Sequence, residues 1–283
     1  MAAAVREPPS AAGIAAATWT WKAVAAWSAT YADRRLSRSS CLRYLHRLGF
    51  VWKRPITQLV KANVEAREAF VAQYAGLEQA ASAAGAQIWY VDEACFRAEV
   101  DLHGLWTPKG EPALVPSTSP RKAEKAVYYS AVCPATGAVE VAEIETTSCS
   151  VTTVAFLQQL RARHAEPLII IWDNSPVHGG EALRTYLATP GLRLHLVRLP
   201  AYSPDFNADE AIWKWLRAEV TANTCYRTKA ALMEATGAFF AGLADRADEA
   251  RRRCRTRLNR AADQLRAEHP EQIQHVDLTW ASL

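Results

Sequence analysis

The spacing of apolar residues predicts two short helices near the start of the chain. In residues 20–31 the apolar side chains recur at intervals of three and four positions, which is the period of a helix. A second helix is predicted to begin after Ser37, a good N-cap, and to end at Gly49. Its apolar stripe consists of Leu42, Leu45 and Leu48. Residues 57–84 then have the pattern of one long helix that joins two domains.

From Ala86 onward, apolar runs of strand length alternate with helical patterns. The predicted strands are 86–93, 126–133, 138–145, 167–174 and 192–198, with a hairpin turn at 135–137. The predicted helices are 150–164, capped by Ser150, then 180–189, and one that begins near residue 208. The order β, β, β, α, β, α, β, α indicates an α/β fold in which helices flank a mixed sheet.

The chain ends in a long and strongly basic pattern. Residues 228–266 have helical spacing, with apolar positions in the first part and arginines in the second. The arginines are Arg251, Arg252, Arg253, Arg255, Arg257 and Arg260. Because these positions cover most of a helix surface, the pattern fits either a solvated charged helix or an arm that contacts phosphates.

Composition adds limits on size and compartment. The chain has 283 residues, 50% of them hydrophobic, which is enough for about two domains with ordinary buried cores. The six cysteines form no CxxC pair and are expected to be reduced thiols. The Ala-rich start lacks the apolar run of a signal peptide, and no run of 18 apolar residues occurs. We therefore expect a cytoplasmic protein without a membrane span.

The charge of the chain is unevenly distributed. The formal net charge of +4 is too small to indicate a nucleic-acid-binding protein by itself. Residues 1–80 carry 11 basic and 5 acidic side chains, residues 81–220 carry 12 and 16, and residues 221–283 carry 10 and 8. Basic flanks around an acidic middle indicate a chain that holds a polyanion at its ends and concentrates carboxylates at its centre. Chance decoration of the surface would give a similar division.

The second predicted helix has a polar face suited to nucleic acid. Its hydrogen-bond donors are Arg38, Ser39, Ser40, Arg43, Tyr44 and Arg47. Such side chains contact phosphates and base edges, and two short helices of which the second is basic are typical of a helix-turn-helix. The basic segment 50–55, which includes Lys53 and Arg54, is predicted to be a wing or the exit to a linker. The alternative is a small helical cap with a solvated basic face.

Three acidic residues lie where α/β sheets commonly bind ligands. Asp92 ends the first predicted strand, Asp173 ends the buried fourth strand, and Glu210 begins the last helix. Carboxylates gathered beyond the ends of strands repel one another unless a cation lies between them. Hard oxygen ligands favour magnesium or manganese, and two such ions can promote phosphodiester cleavage. The alternative for any one acid is a helix cap or a surface charge, which fits Asp173 least because it follows an apolar strand.

Four short blocks stand out in the second half of this pattern. They are YVDE (90–93), LWTPKGEP (105–112), WDNSPVH (172–178) and LPAYSPDFNADEAIWKWL (199–216). The blocks resemble those of the mariner-type DDE transposases, specifically the bacterial insertion-sequence branch of that family. The resemblance runs in the family's order over residues 19–220, and the last block is long enough to be highly specific.

The resemblance implies an RNase H-like catalytic domain whose DDE triad binds two divalent metal ions, magnesium or manganese. Position by position, Asp92, Asp173 and Glu210 match the catalytic, metal-binding acids. The residues implied to orient these ligands are Glu93, Asn174, His178, Asn207 and Asp209. Without the resemblance, an isolated His178 is more typical of a structural residue.

The sequence departs from the family at two points. Ala208 and Asp209 replace the usual Pro-Ile before Glu210, which makes Asp209 an alternative third acid. Neighbours on a helix point about 100° apart, so both acids cannot face one metal pair equally well. Family members also usually carry a further helix-turn-helix before the one predicted here, which indicates a misplaced start, a truncation or a gene in two parts.

The predicted domains are a flexible start (1–18), a winged helix-turn-helix (19–56), a linker helix (57–84), an RNase H-like domain (85–222) and a basic helical region (223–283). The resemblance implies a nucleoid-associated transposase that binds double-stranded terminal inverted repeats and target DNA. It also implies a homodimer on DNA, with contacts from the long loop 95–125. The alternatives are a catalytically inactive or truncated remnant that only binds DNA, and an RNase H-like nuclease that acts on RNA–DNA hybrids or branched DNA.

Overall fold

The computed structural model describes residues 1–53, 63–118, 124–145 and 147–280. The chain divides into two compact units, Met1–Gln58 and Leu59–Leu283. The division lies beside the predicted boundary after residue 56. The helix predicted as a linker and the basic C-terminal region both belong to the second unit. Their contacts with the sheet, described below, explain why neither forms a domain of its own.

The first unit is helical. Its elements are α1 (Ala2–Arg6), a 3₁₀ helix (Pro9–Ala12), α2 (Trp21–Tyr31) and α3 (Arg38–Arg47). The hydroxyls of Thr20 and Ser37 accept hydrogen bonds from backbone N–H groups at the starts of α2 and α3, at 3.3 and 3.2 Å. The two predicted helices of the helix-turn-helix are therefore present, and Ser37 is the cap that the sequence predicts.

The buried stripe of α3 differs from the prediction. Cys41 is fully buried against Val24 and Ala25 of α2, whereas Leu42 and Leu48 are 38% and 42% exposed. Of the three predicted leucines, only Leu45 packs against this small core. A spacing of four, from position 41 to position 45, follows the helical period more closely than two spacings of three, and cysteine behaves as a small apolar residue when buried.

Residues 1–18 carry more structure than the predicted flexible start. The Trp19 indole donates a hydrogen bond to the Glu7 carbonyl at 2.7 Å, and the Tyr31 hydroxyl donates to the Ala12 carbonyl at 3.2 Å. These bonds hold the α1 segment beside α2. Residues 50–53 of the predicted wing form no strand, and Arg54 lies outside the described residues.

The second unit is built on a five-stranded mixed sheet. Its strands are β1 (Gln87–Arg97), β2 (Lys125–Cys133), β3 (Ala138–Ile144), β4 (Leu168–Trp172) and β5 (Leu194–Arg198). In the order β3-β2-β1-β4-β5, the first three strands pair antiparallel and β1, β4 and β5 pair parallel. This confirms the predicted α/β class, the mixed sheet, and the predicted order of strands and helices along the chain.

Helices cover both faces of the sheet. They are α4 (Val64–Ala83), α5 (Ser150–Arg163), α6 (Glu181–Leu187), α7 (Glu210–Leu216), α8 (Lys229–Ala241), α9 (Ala247–Arg253) and α10 (Arg257–Glu268). Along β4 the side chains alternate: Ile169 and Ile171 face the core shared with α4, α7, α8 and α10, and Ile170 and Trp172 face the core shared with α5. This two-sided burial explains why β4 is apolar throughout.

Two predicted helices differ in detail from the structure. The predicted helix 228–266 is divided into α8, α9 and α10, because turns after α8 and α9 let each helix direct its own apolar residues toward the sheet. The cap of α5 is Cys149, which forms a capping box with Thr152, rather than Ser150. The predicted start of the long helix at 57–62 lies outside the described residues.

In the described part of the chain, no helix has the length and apolar character needed to cross a bilayer.

The end of the chain packs tightly on α4. The Gln274 N–H donates to the Ala72 carbonyl at 3.2 Å, and Val276 packs against the core beneath. A Cβ atom added at Gly76 would lie 1.8 Å from the Gln274 carbonyl oxygen. Glycine at position 76 is therefore what allows the C-terminal segment to approach this helix.

We expect Gly76→Ala to destabilise the protein by about 1–3 kcal/mol, because the new methyl group must displace the C-terminal segment. Urea unfolding of the full chain measures this change. The matched control is Gly237→Ala in α8, where an added Cβ meets no atom within 4 Å; there the higher helix propensity of alanine should raise stability by about 0.5–1 kcal/mol. Equal stabilities for the two variants would contradict this account of Gly76.

Candidate catalytic site

A cleft of about 570 Å³ opens beyond the carboxyl ends of the parallel strands β4 and β5. Three acids that are far apart in the sequence line it, namely Asp92, Asp173 and Glu210. The other lining residues are Asn174, Ser175, Leu199, Pro200, Ala201, Tyr202, Ser203, Pro204 and Asn207. The structure therefore brings the three predicted acids to one place, at the edge of the sheet where ligands of α/β folds commonly bind.

The sequence predicts Asp92 at the end of β1, but in the structure it lies inside this strand. The parallel pairing of β1 with β4 stops at Tyr90, but its antiparallel pairing with β2 continues through Asp92 to Arg97. The strand is longer than its apolar run because its backbone groups continue to pair with those of β2. Burial, and next the charges of Glu210 and Glu93, raise the pKa of Asp92 to about 7. Burial is thus the main cause of the shift, and the neighbouring acids add to it.

Asp173 follows β4 directly and is held by its own loop. Its Oδ1 atom accepts a hydrogen bond from the Ser175 N–H at 2.8 Å and lies 3.1 Å from Nδ1 of His178. The hydrogen bond from His178 lowers the pKa of Asp173 below its ordinary value against the opposing effect of burial. The carboxylate is thus kept charged and oriented at the mouth of the cleft, where about half of it is exposed.

His178 connects two acids beneath the cleft. Its ring is fully buried and stacks on Trp172 at a centroid distance of 4.4 Å. Its Nε2 atom lies 2.7 Å from Oε1 of Glu93, and its Nδ1 faces Asp173. Burial alone would lower the pKa of His178, but its hydrogen bonds with Asp173 and Glu93 outweigh that effect and raise the pKa to about 9. The buried ring therefore lies between two carboxylates, a setting that favours its protonated form.

The structure distinguishes the two adjacent candidates for the third acid. Glu210 is the first residue of α7 and lines the cleft, where its carboxylate lies 3.5 Å from the Lys214 ammonium group. Asp209 is fully buried, and one of its oxygens accepts a hydrogen bond from the Ser130 hydroxyl. Burial, and then the charge of Asp92, raise the pKa of Asp209 well above its ordinary value. Of the two, only Glu210 presents its carboxylate to the cleft.

The two asparagines of the motifs hold the loop between β5 and α7. The Asn174 side chain donates to the Leu199 carbonyl at 2.7 Å, and the Asn207 side chain accepts from the Asp209 N–H at 3.1 Å. Both residues also line the cleft. Their contacts are thus with the backbone that carries Glu210, which agrees with an orienting role.

Two residues beside the acids were not singled out by the sequence. Ser130 is the buried partner of Asp209, and a single serine within the apolar run of β2 was the available signal. Arg198, at the end of β5, donates to the His178 carbonyl at 2.6 Å and thereby supports the loop that contains Asp173. Arg198 reaches this loop because it pairs with Trp172 across β4 and β5. The sequence could not identify it, because the register of these two strands is set only in the folded sheet.

Comparison with known families agrees with this geometry. The sequence profile of the DDE superfamily endonucleases matches residues 87–233, which is more than half of the chain. The chain belongs to the DDE superfamily of endonucleases. A winged helix-turn-helix profile also matches residues 15–74. No curated protein sequence gives a significant match.

Solved structures share the fold of this DDE superfamily member. The mariner Mos1 paired end complex with Mg superposes with a TM-score of 0.62 at 15% identity, covering 92% of this chain and 80% of that one. The Mos1 paired end complex with Mn gives 0.61 at 16% identity, covering 92% and 76%. A pre-cleavage Mos1 transpososome gives 0.60 at 14%, covering 92% and 80%. The RNase H-like fold predicted from the sequence is thereby confirmed.

The donor chemistry of the cleft fits divalent metal ions. Asp92, Asp173 and Glu210 offer the hard carboxylate oxygens that magnesium and manganese prefer. Burial, and then repulsion from Glu210 and Glu93, raise the pKa of Asp92, and a cation would relieve the repulsion. Among the described residues, no three Asp, Glu, His or Cys side chains lie close enough together to hold one ion between them. The three carboxylates therefore line the same cleft, but they do not surround a single ion position.

The candidate DNA-contacting residues lie in the first unit. Arg38, Ser39, Arg43 and Arg47 on α3, and Lys53 after it, are exposed. Ser40 is partly buried, and its hydroxyl accepts a hydrogen bond from Ser37 at the start of the helix. The exposed residues are available to a partner, whereas Ser40 takes part in capping α3.

Proposed function

We propose that this chain is the transposase of an insertion sequence. Its N-terminal unit binds the terminal inverted repeats, and its cleft catalyses DNA strand cleavage and strand transfer with Asp92, Asp173 and Glu210 as the triad. The observation that carries the proposal is the convergence of these three acids on one cleft of an RNase H-like sheet. Membership in the DDE superfamily and the fold shared with Mos1 support it.

The chain's own residues hold and orient the reacting groups. Two divalent ions, when bound, supply a nucleophilic water and stabilise the leaving oxygen of the phosphodiester. His178 and the Ser175 N–H hold the Asp173 carboxylate at the mouth of the cleft. The antiparallel pairing with β2 holds Asp92, and the first turn of α7 holds Glu210. The same cleft then serves a freed 3′ hydroxyl that attacks target DNA.

The proposed function is tested by cleavage of a labelled duplex that carries the inverted repeat found beside the gene. We expect nicking at the repeat end in Mg²⁺ or Mn²⁺ and none in EDTA, because the carboxylates alone cannot activate water at neutral pH. Specific binding without cleavage in either metal would identify a DNA-binding remnant. Preferred cleavage of RNA–DNA hybrids or branched DNA would identify the RNase H-like nuclease instead.

Binding of the repeat is expected to depend on the arginines of α3. Replacing the exposed Arg43 by alanine should weaken binding and lower the slope of log affinity against log salt concentration by about 1, because one phosphate contact is lost. Fluorescence anisotropy over a series of salt concentrations measures both quantities. Arg6→Ala, at an exposed position of α1, is the control and should keep the wild-type slope. An unchanged slope for Arg43→Ala would show that Arg43 does not contact a phosphate of the DNA.

We infer that the protein acts as a homodimer on DNA through the loop between β1 and β2. The loop exposes large apolar side chains, with Trp106 fully exposed and Leu114 84% exposed. Hydrogen bonds from Asn223 and Tyr226 backbone N–H groups fasten its base. Exposed apolar side chains on a fastened loop are typical of an interaction surface.

The double variant Trp106→Ala, Leu114→Ala should convert the repeat-bound complex from two protein chains to one, because the apolar contact is removed. Light scattering coupled to size exclusion measures the mass. Val151→Ala removes an apolar side chain of α5 that is 64% exposed, and it should leave the mass unchanged. A two-chain complex with the double variant would refute the role of the loop.

A further inference from the structure

Asp205 is held by an arginine from a distant helix. Two nitrogen atoms of the Arg67 guanidinium, on α4, donate to the two carboxylate oxygens of Asp205 at 3.0 and 2.8 Å. The side chains of Arg67 and Asp205 are only 18% and 34% exposed, so water screens this pair less than an ordinary surface ion pair. Paired, parallel hydrogen bonds of this kind fix direction as well as distance.

The same arginine also covers the residue that follows. The Arg67 guanidinium lies 4.0 Å from the centroid of the Phe206 ring, and that ring stacks on Phe70, one turn further along α4, at 6.4 Å. The Phe206 side chain is buried. The short 3₁₀ helix Pro204–Phe206 is therefore attached to α4 by a forked ion pair, a cation–π contact and an aromatic stack.

This attached segment is part of the wall of the cleft. Ser203, Pro204 and Asn207 line the cleft together with the three acids, and Glu210 begins α7 three residues after Asn207. The backbone just before the segment is constrained, since Tyr202 has a left-handed conformation with φ of 58°. Whatever sets the position of Pro204–Phe206 also sets the position of the third acid.

We propose that Arg67 is a positioning residue, which holds the Pro204–Phe206 segment on α4 and thereby places Glu210 in the cleft. The inference deepens the proposed function and rests on it, because it concerns the geometry of the same site. Arg257 of α10 reaches the same carboxylate of Asp205 at 3.5 Å but is 71% exposed, so its contact adds little. The bidentate ion pair between Arg67 and Asp205 is therefore the contact that fixes the Pro204–Phe206 segment on α4.

The test compares Arg67→Ala with a matched arginine on the full-length protein. Arg266 of α10 joins the other end of α4 through Glu78, with a side chain 30% exposed, and contacts no residue of the cleft wall in the described structure. In cleavage of the repeat duplex, Arg67→Ala should lower kcat about 10- to 100-fold with affinity for the repeat nearly unchanged. Arg67→Lys should recover part of the loss, since lysine restores the charge but not the fork. Arg266→Ala should keep the wild-type kcat.

A second measurement needs no activity. Hydrogen–deuterium exchange of peptides that cover residues 200–210 should be faster in Arg67→Ala and unchanged in Arg266→Ala. If the wild type cuts DNA and Arg67→Ala cuts equally well, or if Arg266→Ala loses as much kcat, Arg67 is not a positioning residue. If the wild type does not cut, the proposed function fails, and the exchange experiment alone decides: equal exchange in the two variants then overturns the role of Arg67.

Discussion

Replacing Glu210 by glutamine is expected to lower DNA strand cleavage by about a thousandfold or more, with DNA binding and folding intact. Glutamine has the same shape as glutamate, so α7 and the wall of the cleft keep their packing. It has no charge and is a weak ligand for a divalent cation, so the cleft loses one of the three carboxylates that line it. Cleavage of the repeat duplex under single-turnover conditions measures the loss, and anisotropy confirms binding.

The neighbouring acid supplies the sharpest control. Asp209→Asn changes a carboxyl group that is fully buried and does not line the cleft. An asparagine in its place can still accept the hydrogen bond from Ser130, and the burial that raises the pKa of Asp209 disfavours the charge that the substitution removes. We expect the variant to keep cleavage within about threefold of the wild type. Loss of activity in Asp209→Asn with retention in Glu210→Gln would make Asp209 the third acid.

The second large effect is expected at His178. In His178→Ala the carboxylate of Glu93, whose side chain is only 14% exposed, loses its partner, and the space beside Trp172 becomes a cavity. Removing one member of a buried ion pair should cost about 3 kcal/mol of unfolding free energy, toward the lower end of the usual range because Asp173 is half exposed. Cleavage should fall about 10- to 100-fold as well, since Asp173 loses the hydrogen bond that directs it.

Urea unfolding and single-turnover cleavage test both parts of this expectation. His275→Ala removes a histidine that is 87% exposed, and should change stability by less than about 0.5 kcal/mol. If His178→Ala is as stable and as active as His275→Ala, the imidazolium does not bridge the two carboxylates. A loss of stability with full activity would give His178 a purely structural role.

Much of the fold was predictable because its signals are local. The unbroken apolar run of β4 arises from burial on both faces, and the hydroxyl cap at Ser37 depends only on the next three residues. The hairpin between β2 and β3 is likewise set by its own turn, in which Gly137 has a positive φ of 77°. Features of this kind follow from neighbouring residues, so the order and class of the elements could be predicted.

The errors occur where distant segments decide the outcome. The end of β1 was predicted too early because its backbone is satisfied by β2, a pairing that no pattern within β1 indicates. One C-terminal helix became three because α8, α9 and α10 each turn to cover the sheet. In the first unit, Cys41 packs against α2 in the small core, whereas the predicted core residues Leu42 and Leu48 are exposed.

By itself, the sequence determined the order of the elements along the chain, the two helices of the helix-turn-helix, and Asp92, Asp173 and Glu210 as the candidate acids. Only the tertiary structure decided which of Asp209 and Glu210 faces the cleft, and that His178 joins two acids. The contact between His178 and Glu93 spans 85 residues of sequence, and that between Arg67 and Asp205 spans 138. Local periodicity cannot specify such contacts, because they depend on strand register and helix packing that form only when the whole sheet assembles.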